Sequence, residues 1–94
     1  MKVLFFWMNG CPHCDQIKEQ FKQVPESKNF VAIEKANVSD LHKSKYGIKS
    51  YPTLIFLSEK NAVLGKLVGV HKASEINHAV KGYQNTDKII KNSK

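Results

Sequence analysis

The sequence predicts an α/β domain in which three helices flank a four-stranded mixed sheet, in the order β-α-β-α-β-β-α. Short apolar runs alternate with stretches whose apolar residues recur every three or four positions, and turn residues separate them. A full helix between the first two strands implies that they are parallel, whereas a tight turn near Asn61 implies an antiparallel hairpin. With 94 residues, 41% of them hydrophobic and 24% charged, the chain has the size and composition of one globular domain.

The first predicted strand is the apolar run at residues 3–8, which ends at Asn9-Gly10. Six apolar residues are too few for the hydrophobic region of an export signal or for a membrane span, and no small-residue cleavage site follows. We therefore expect a buried strand, no membrane contact and a cytoplasmic protein. In that reducing compartment, a close pair of cysteines is typically catalytic or metal-binding.

The middle of the chain predicts two helices and two strands. A helix begins near Pro12 and ends before Pro25, with an apolar stripe, and a second strand covers residues 30–33. A short helix over residues 39–46 has Ser39 or Asp40 as its N-cap and ends at Gly47. The stripe of the first helix consists of Cys14, Ile17, Phe21 and Val24.

The last part of the chain predicts a hairpin and a closing helix. Residues 53–57 and 62–68 are its strands, and the helix has its apolar face at Ile76, Ala79, Val80 and Tyr83. We place a domain at residues 1–83. Residues 84–94 are then a polar basic tail, which is a frayed helix end, a solvated segment or a basic docking arm.

The chain is basic, but its charge does not indicate a particular partner. Fifteen basic residues oppose 8 acidic ones, for a net charge of +7, and all fifteen are lysine. The absence of arginine disfavours bidentate recognition of guanine or phosphate. We expect no specific nucleic-acid binding and attribute the charge to solubility and to the steering of partners.

The residues that indicate chemistry are Cys11-Pro12-His13-Cys14, where the first strand leads into the first helix. Cys11 lies at the helix N-terminus, where unpaired N–H groups and the helix dipole favour a thiolate over a thiol. Pro12 suits the first helical turn because its φ is already helical. A protonated His13 adds positive charge beside the sulfur. Cys14 falls on the same helical face but further into the core, as a resolving thiol does.

Other roles for the two cysteines are less consistent with the sequence. A zinc site needs four ligands, and neither a third cysteine nor a histidine at ligand spacing is present, so we expect no metal. Covalent haem attachment requires histidine directly after the second cysteine, where this chain has Asp15. A structural disulfide between residues three apart would close too small a loop to stabilise the fold much. His42, His71 and His78 are interpreted as surface or capping residues.

With these motifs the chain resembles the thioredoxin family, in a compact form that begins at the active-site strand. The resemblance covers about residues 2–82 and includes the element order. Its motifs are Phe6-Trp7-Met8-Asn9-Gly10-Cys11-Pro12-His13-Cys14, Lys45-Tyr46-Gly47-Ile48 with Tyr51-Pro52-Thr53-Leu54, and Leu67-Val68-Gly69. It implies a nucleophilic Cys11, a resolving Cys14 and a cis-proline at Pro52 that faces them. It also implies that the backbone of Tyr51 pairs with an extended substrate, and that Trp7 packs under the active-site turn or serves as an ordinary core aromatic.

The chain departs from the family pattern at several positions. Phe5 stands where the family usually has a buried acid that helps to deprotonate the resolving thiol, and Lys35 matches the basic residue beside that acid. Lys35 is then a solvated lysine at a strand end or eases thiolate formation. The pair Pro12-His13 resembles disulfide-donor oxidases and some compact archaeal thioredoxins. The sequence is less consistent with a glutaredoxin, because Gly69-Val70-His71 stands where a glutaredoxin has its glutathione-binding Gly-Gly.

The resemblance implies a monomeric protein-disulfide oxidoreductase of cell redox homeostasis, without a prosthetic group. Its partners would be protein disulfides or dithiols and a disulfide reductase that recycles it. Two alternatives stay open: a disulfide-donor oxidase or isomerase, and a non-enzymatic interaction module built on the same fold.

Overall fold

The computed structural model describes residues 1–92, with side chains up to residue 90. Its sheet has the order β2-β1-β3-β4, with β1 and β2 parallel and the other two pairs antiparallel. This arrangement confirms the predicted mixed four-stranded sheet. The strands are β1 (Lys2–Trp7), β2 (Val31–Glu34), β3 (Thr53–Leu57) and β4 (Val63–Val68).

The three predicted helices are present as α1 (Pro12–Phe21), α2 (Asp40–Tyr46) and α3 (Ala73–Asn92). Two short 3-10 helical segments, Pro25–Asn29 and Lys35–Asn37, were not predicted. The sequence also placed the end of the first helix too late. Residues 22–24 leave the α-helical pattern because their N–H groups donate to carbonyls three residues back, which tightens the chain into a turn before Pro25.

Helix α2 begins and ends where its sequence indicates. The Ser39 hydroxyl accepts the His42 N–H at 3.1 Å, and the His42 ring accepts the Ser39 N–H at 3.4 Å. These two hydrogen bonds form a reciprocal cap. Gly47 ends the helix with φ at +61°, a left-handed conformation that glycine adopts without a Cβ penalty. Ser39, rather than Asp40, is therefore the N-cap.

The sheet separates two apolar cores because successive side chains of a strand point to opposite faces. On one face, Val3, Phe5, Leu54 and Phe56 pack against residues of α1 and α3. On the other face, Leu4, Phe6, Ile55 and Leu57 pack against Ile48 and against Tyr46 of α2. Helices α1 and α3 are further joined by a hydrogen bond of 2.8 Å from the Ala73 N–H to the Gln20 side chain.

Helix α3 is longer than its apolar stripe indicated. The helix continues through Asn92, although the sequence placed a frayed or solvated tail after Tyr83. Asp87 holds this part of the helix to the sheet: it is 6% exposed, and its carboxylate pairs with the Met1 amino group at 3.0 Å. Residues 93 and 94 of the expected tail lie outside the described residues. Within residues 1–92, no helix is both long and apolar enough to span a membrane.

Candidate active site

Cys11 lies between β1, one of the two inner strands of the sheet, and helix α1. After β1, the chain turns through Asn9-Gly10, with Gly10 at φ +69°, a conformation that a residue with a Cβ rarely adopts. Cys11 is extended and is the N-cap residue of α1, and Pro12 takes the first helical position. The sulfur of Cys11 is thus presented to the unpaired N–H groups of the first turn, as the motif predicted.

The two thiols are close to one another and almost completely buried. The backbone N–H of Cys14 donates to Sγ of Cys11 at 3.1 Å, and both cysteines are free. Cys11 is 4% exposed and Cys14 1%, so Cys14 is the less accessible of the two. Pro12 and His13, between them, are exposed. A donor aimed at the sulfur of Cys11 is the arrangement that stabilises negative charge there.

The surroundings of Cys14 favour the protonated form of its thiol. Burial of the side chain is the largest influence and, with the hydrogen bond to Cys11 and the charge of Cys11, raises the pKa of Cys14 to about 11. Two influences lower it: the hydrogen bond with the backbone of Met8, which is larger than the effect of the Cys11 charge, and the positive charge of Lys18, which is the smallest of the five. The protonated thiol is therefore the favoured form of Cys14.

Lys18 was not predicted to belong to the site. It lies four residues after Cys14 on α1, so the two side chains emerge on the same helical face. The Lys18 ammonium lies 4.0 Å from the centroid of the Trp7 ring, within the range of a cation–π interaction. Trp7 is half-buried against the core that β1 shares with α1 and α3. Its ring thus supports Lys18 and belongs to that core as well.

A second contact that the sequence did not indicate holds the turn before Cys11. The side-chain amide of Asn9 donates to the carboxylate of Glu34, the last residue of β2. The other carboxylate oxygen of Glu34 accepts the Ala36 N–H at 2.9 Å. Strand pairing brings these groups together, since Glu34 is in register with Trp7 at the end of β1.

The loop before β3 lies at the same end of the sheet as Cys11. The bond between Tyr51 and Pro52 is cis, as the resemblance implies. Because β3 is antiparallel to β1, with Thr53 opposite Phe6, the start of β3 adjoins the end of β1. The loop is held by hydrogen bonds from the Gly69 N–H to the Pro52 carbonyl, at 2.9 Å, and from the Thr53 hydroxyl to the Ser50 carbonyl, at 2.8 Å.

Phe5 and Lys35, at the positions of the family's buried acid and its basic neighbour, have different surroundings. Phe5 is 4% exposed and packs edge-to-face on Phe21 at 5.0 Å, so an apolar contact takes the place of the expected acid. Lys35 is exposed at the start of the 3-10 segment after β2. Its placement matches the interpretation of a solvated lysine at a strand end.

The other histidines lie in different parts of the structure. His42 caps α2, His71 pairs with Glu75 at 3.2 Å, and His78 is exposed on α3. Over residues 1–92, no group of three or more His, Cys, Asp or Glu side chains is arranged to hold a metal ion.

Comparison with known proteins agrees with this geometry. The family model for a thioredoxin-like domain matches residues 1–84. Thioredoxin from Aeropyrum pernix superposes with a TM-score of 0.69 at 22% identity, over 87% of this chain and 73% of its own. The oxidised C-terminal domain of DsbD from Neisseria meningitidis superposes with a TM-score of 0.66 at 19% identity, over 86% of this chain and 78% of its own. Thioredoxin from Malassezia sympodialis superposes with a TM-score of 0.68 at 21% identity, over 85% of this chain and 71% of its own. No curated protein matches the sequence.

Proposed function

Because the chain belongs to the family of thioredoxin-like domains, we propose that it is a thiol–disulfide oxidoreductase that exchanges electrons between Cys11-Cys14 and protein substrates. The observation that carries the proposal is the placement of Cys11 as the N-cap of α1, with the Cys14 N–H donating to its sulfur at 3.1 Å. Such a position favours the thiolate, which is the nucleophile in disulfide exchange.

The proposed reaction has two exchange steps. First, the Cys11 thiolate attacks one sulfur of a substrate disulfide, so that a mixed disulfide forms and the other substrate sulfur leaves as a thiolate and takes up a proton. Second, Cys14 loses its proton to solvent and attacks Cys11 Sγ. The Cys11–Cys14 disulfide then forms while the second substrate thiolate leaves. Two electrons have passed from the protein to the substrate, and no prosthetic group is needed.

The order of the two steps follows from the interactions of Cys14. Two of the influences that raise its pKa, the hydrogen bond with Cys11 and the charge of Cys11, depend on a free Cys11 sulfur. Once Cys11 is bonded to substrate it carries no charge, so its contribution disappears and the pKa of Cys14 falls. Cys14 is thus kept inactive as a thiol until the mixed disulfide has formed.

We assign substrate contact to the residues beside the two cysteines. The Tyr51 backbone, next to the cis bond at Pro52, would pair with an extended substrate segment by strand addition. His13, exposed beside Cys11, adds positive charge near the sulfur when it is protonated. Trp7 supports the turn from within the core.

The proposed partners are protein disulfides or dithiols and a disulfide reductase that returns the pair to the reduced state, with the protein acting as a cytoplasmic monomer. Net oxidation or isomerisation of substrates is the alternative direction of flux, and the Pro12-His13 pair favours it. The redox potential of the pair separates the two. A value near that of thioredoxin, about −270 mV, indicates a reductant, and one well above it an oxidant or isomerase.

The test uses two variants that control for one another. With insulin reduction or dithiol oxidation as the assay, Cys11→Ser should lose turnover and form no covalent adduct with substrate. Cys14→Ser should also lose turnover, but it should accumulate a mixed disulfide through Cys11, visible by mass spectrometry and reversed by reductant. Full activity of Cys11→Ser would contradict the mechanism.

The interaction-module alternative is addressed by a double variant, Cys11→Ser with Cys14→Ser. If the protein acts as an assembly subunit, this variant keeps its biological function, and partner binding weakens with salt because the charge of +7 contributes to it. Loss of function with unchanged folding supports the oxidoreductase.

A further inference from the structure

Among the residues whose side chains the structure describes, a cation and no carboxylate acts on the charge of Cys14. The charges that act on Cys14 are those of Cys11, from the start of the same helix, and of Lys18, from its next turn, and on the strand side Cys14 faces the backbone of Met8. Phe5, which stands where the family usually has a buried acid, lies in the apolar core that β1 shares with α1 and α3.

The charged side chains of α1 have different surroundings. Asp15 and Glu19 are exposed, and Glu19 pairs with Lys22 at 2.9 Å. Lys18 instead lies with its ammonium over Trp7, at 4.0 Å from the ring centroid. A cation–π contact limits the motion of an otherwise flexible side chain, so the charge stays one helical turn from Cys14.

We propose that Lys18 is a positioning residue for the resolving step: its ammonium, held on the face of Trp7, stabilises the Cys14 thiolate that attacks the mixed disulfide. This inference rests on the proposed function and specifies how its second step proceeds without a buried carboxylate. The proton of Cys14 goes to solvent, the bond between Cys11 and the substrate sulfur breaks, and the bond between Cys11 and Cys14 forms. Lys18 keeps its proton and lowers the free energy of the charged form.

The experiment isolates this step. The Cys11 thiol is converted to a mixed disulfide with 5-thio-2-nitrobenzoate, a coloured thiolate when free, and its release by Cys14 is followed as a function of pH. Wild type is compared with Lys18→Gln, which removes the charge, and Lys18→Arg, which keeps it. Lys22→Gln is the matched control, because it removes one positive charge four residues further along the chain, at the C-cap of α1, where Lys22 pairs with Glu19.

We expect Lys18→Gln to move the midpoint of the release profile to higher pH and to slow release about twofold to fivefold at neutral pH, since less thiolate is present. Lys18→Arg and Lys22→Gln should follow wild type. The difference between wild type and Lys18→Gln should shrink at high salt, because an exposed charge is screened. A merely structural role of Lys18 would move neither the pH midpoint nor its salt dependence.

The outcomes separate this inference from the proposed function. Three results would overturn the role of Lys18 although the exchange itself persists. The pH profile of Lys18→Gln could coincide with that of wild type, Lys22→Gln could shift the midpoint equally, or Lys18→Arg could fail to restore the wild-type midpoint. A wild-type adduct that releases nothing would overturn the proposed function and this inference with it.

Discussion

Substituting alanine for Gly65 tests the packing of α3 on the sheet. Gly65 lies in β4 opposite Phe56, and the Tyr83 ring of α3 packs on Phe56 with the centroids 4.8 Å apart. A Cβ at residue 65 would lie 2.6 Å from Cε1 of Tyr83 and closer still to its Cζ and Oη. Because real Cβ atoms essentially never come that close, the Tyr83 ring must leave its position above Gly65.

The cost follows from where Tyr83 can go. Its ring borders an open cleft of about 580 Å³ between β4 and α3, so it can swing outward, but it then loses its contact with Phe56. An aromatic pair contributes about 0.5–1.5 kcal/mol beyond the area it buries, and a forced rearrangement in a packed site costs about 1–3 kcal/mol. We expect a loss near 2 kcal/mol, which lowers the midpoint of thermal unfolding by about 8–16 °C in a domain of this size.

The assay is urea and thermal unfolding of four proteins besides wild type. Gly65→Ala should be destabilised, and in a Tyr83→Ala background the same substitution should be close to neutral, since the overlap is gone. Gly82→Ala is the matched control: a Cβ there meets nothing within 4 Å, and alanine inside a helix stabilises by about 0.5–1 kcal/mol. Wild-type stability of Gly65→Ala, or an equal loss without the Tyr83 ring, would refute the reasoning.

Three further predictions concern charged and titrating groups. Because burial raises the pKa of Cys14 to about 11 from 9.0, the reduced protein should lose about 2–3 kcal/mol as the pH rises from about 9 to about 11, whereas Cys14→Ala should not. Urea unfolding across that range checks this. The hydrogen bond from His71 is the main cause that lowers the pKa of Glu75. This hydrogen bond therefore stabilises the fold at pH values above the ordinary pKa of a glutamate, and its contribution is lost as the pH falls through the lowered pKa of Glu75. His71→Ala should therefore raise the pKa of Glu75 in an NMR titration, and an unchanged value would argue against this hydrogen bond. Asp87→Asn should cost about 2–3 kcal/mol in thermal unfolding, because it removes the charge that pairs with the buried Met1 amino group; a loss below about 0.5 kcal/mol would contradict the pair.

Elements whose signal is local were predictable from the sequence. The run at residues 53–57, apolar after Thr53, predicted a strand, and all five residues are buried in β3. The ends of α2 were indicated by Ser39 and Gly47, which act on the backbone within one turn of themselves. The end of α1 was not predictable from periodicity, because Val24 is buried and continues the apolar stripe although the chain has already left the helix.

The far end of α3 was not indicated by its own sequence, for a different reason. The segment after Tyr83 carries few apolar residues, and Ile89 and Ile90 are 63% and 45% exposed, so its pattern resembles that of a solvated segment. Asp87 helps to hold it, since its carboxylate pairs with the Met1 amino group and accepts the Glu59 N–H at 3.1 Å, and both of these residues are distant in sequence. No periodicity within a segment indicates a partner so distant in sequence.

The sequence by itself determined the fold class and the position of the cysteine motif, because strand burial, helix capping and the fit of Pro12 in a first helical turn act within a few residues. The tertiary structure decided the surroundings of the two thiols. Packing α1 on β1 buries Cys14 and so raises its pKa, and it also brings Trp7 under Lys18. Burial and charge act through space, and they depend on elements that only the folded sheet brings together.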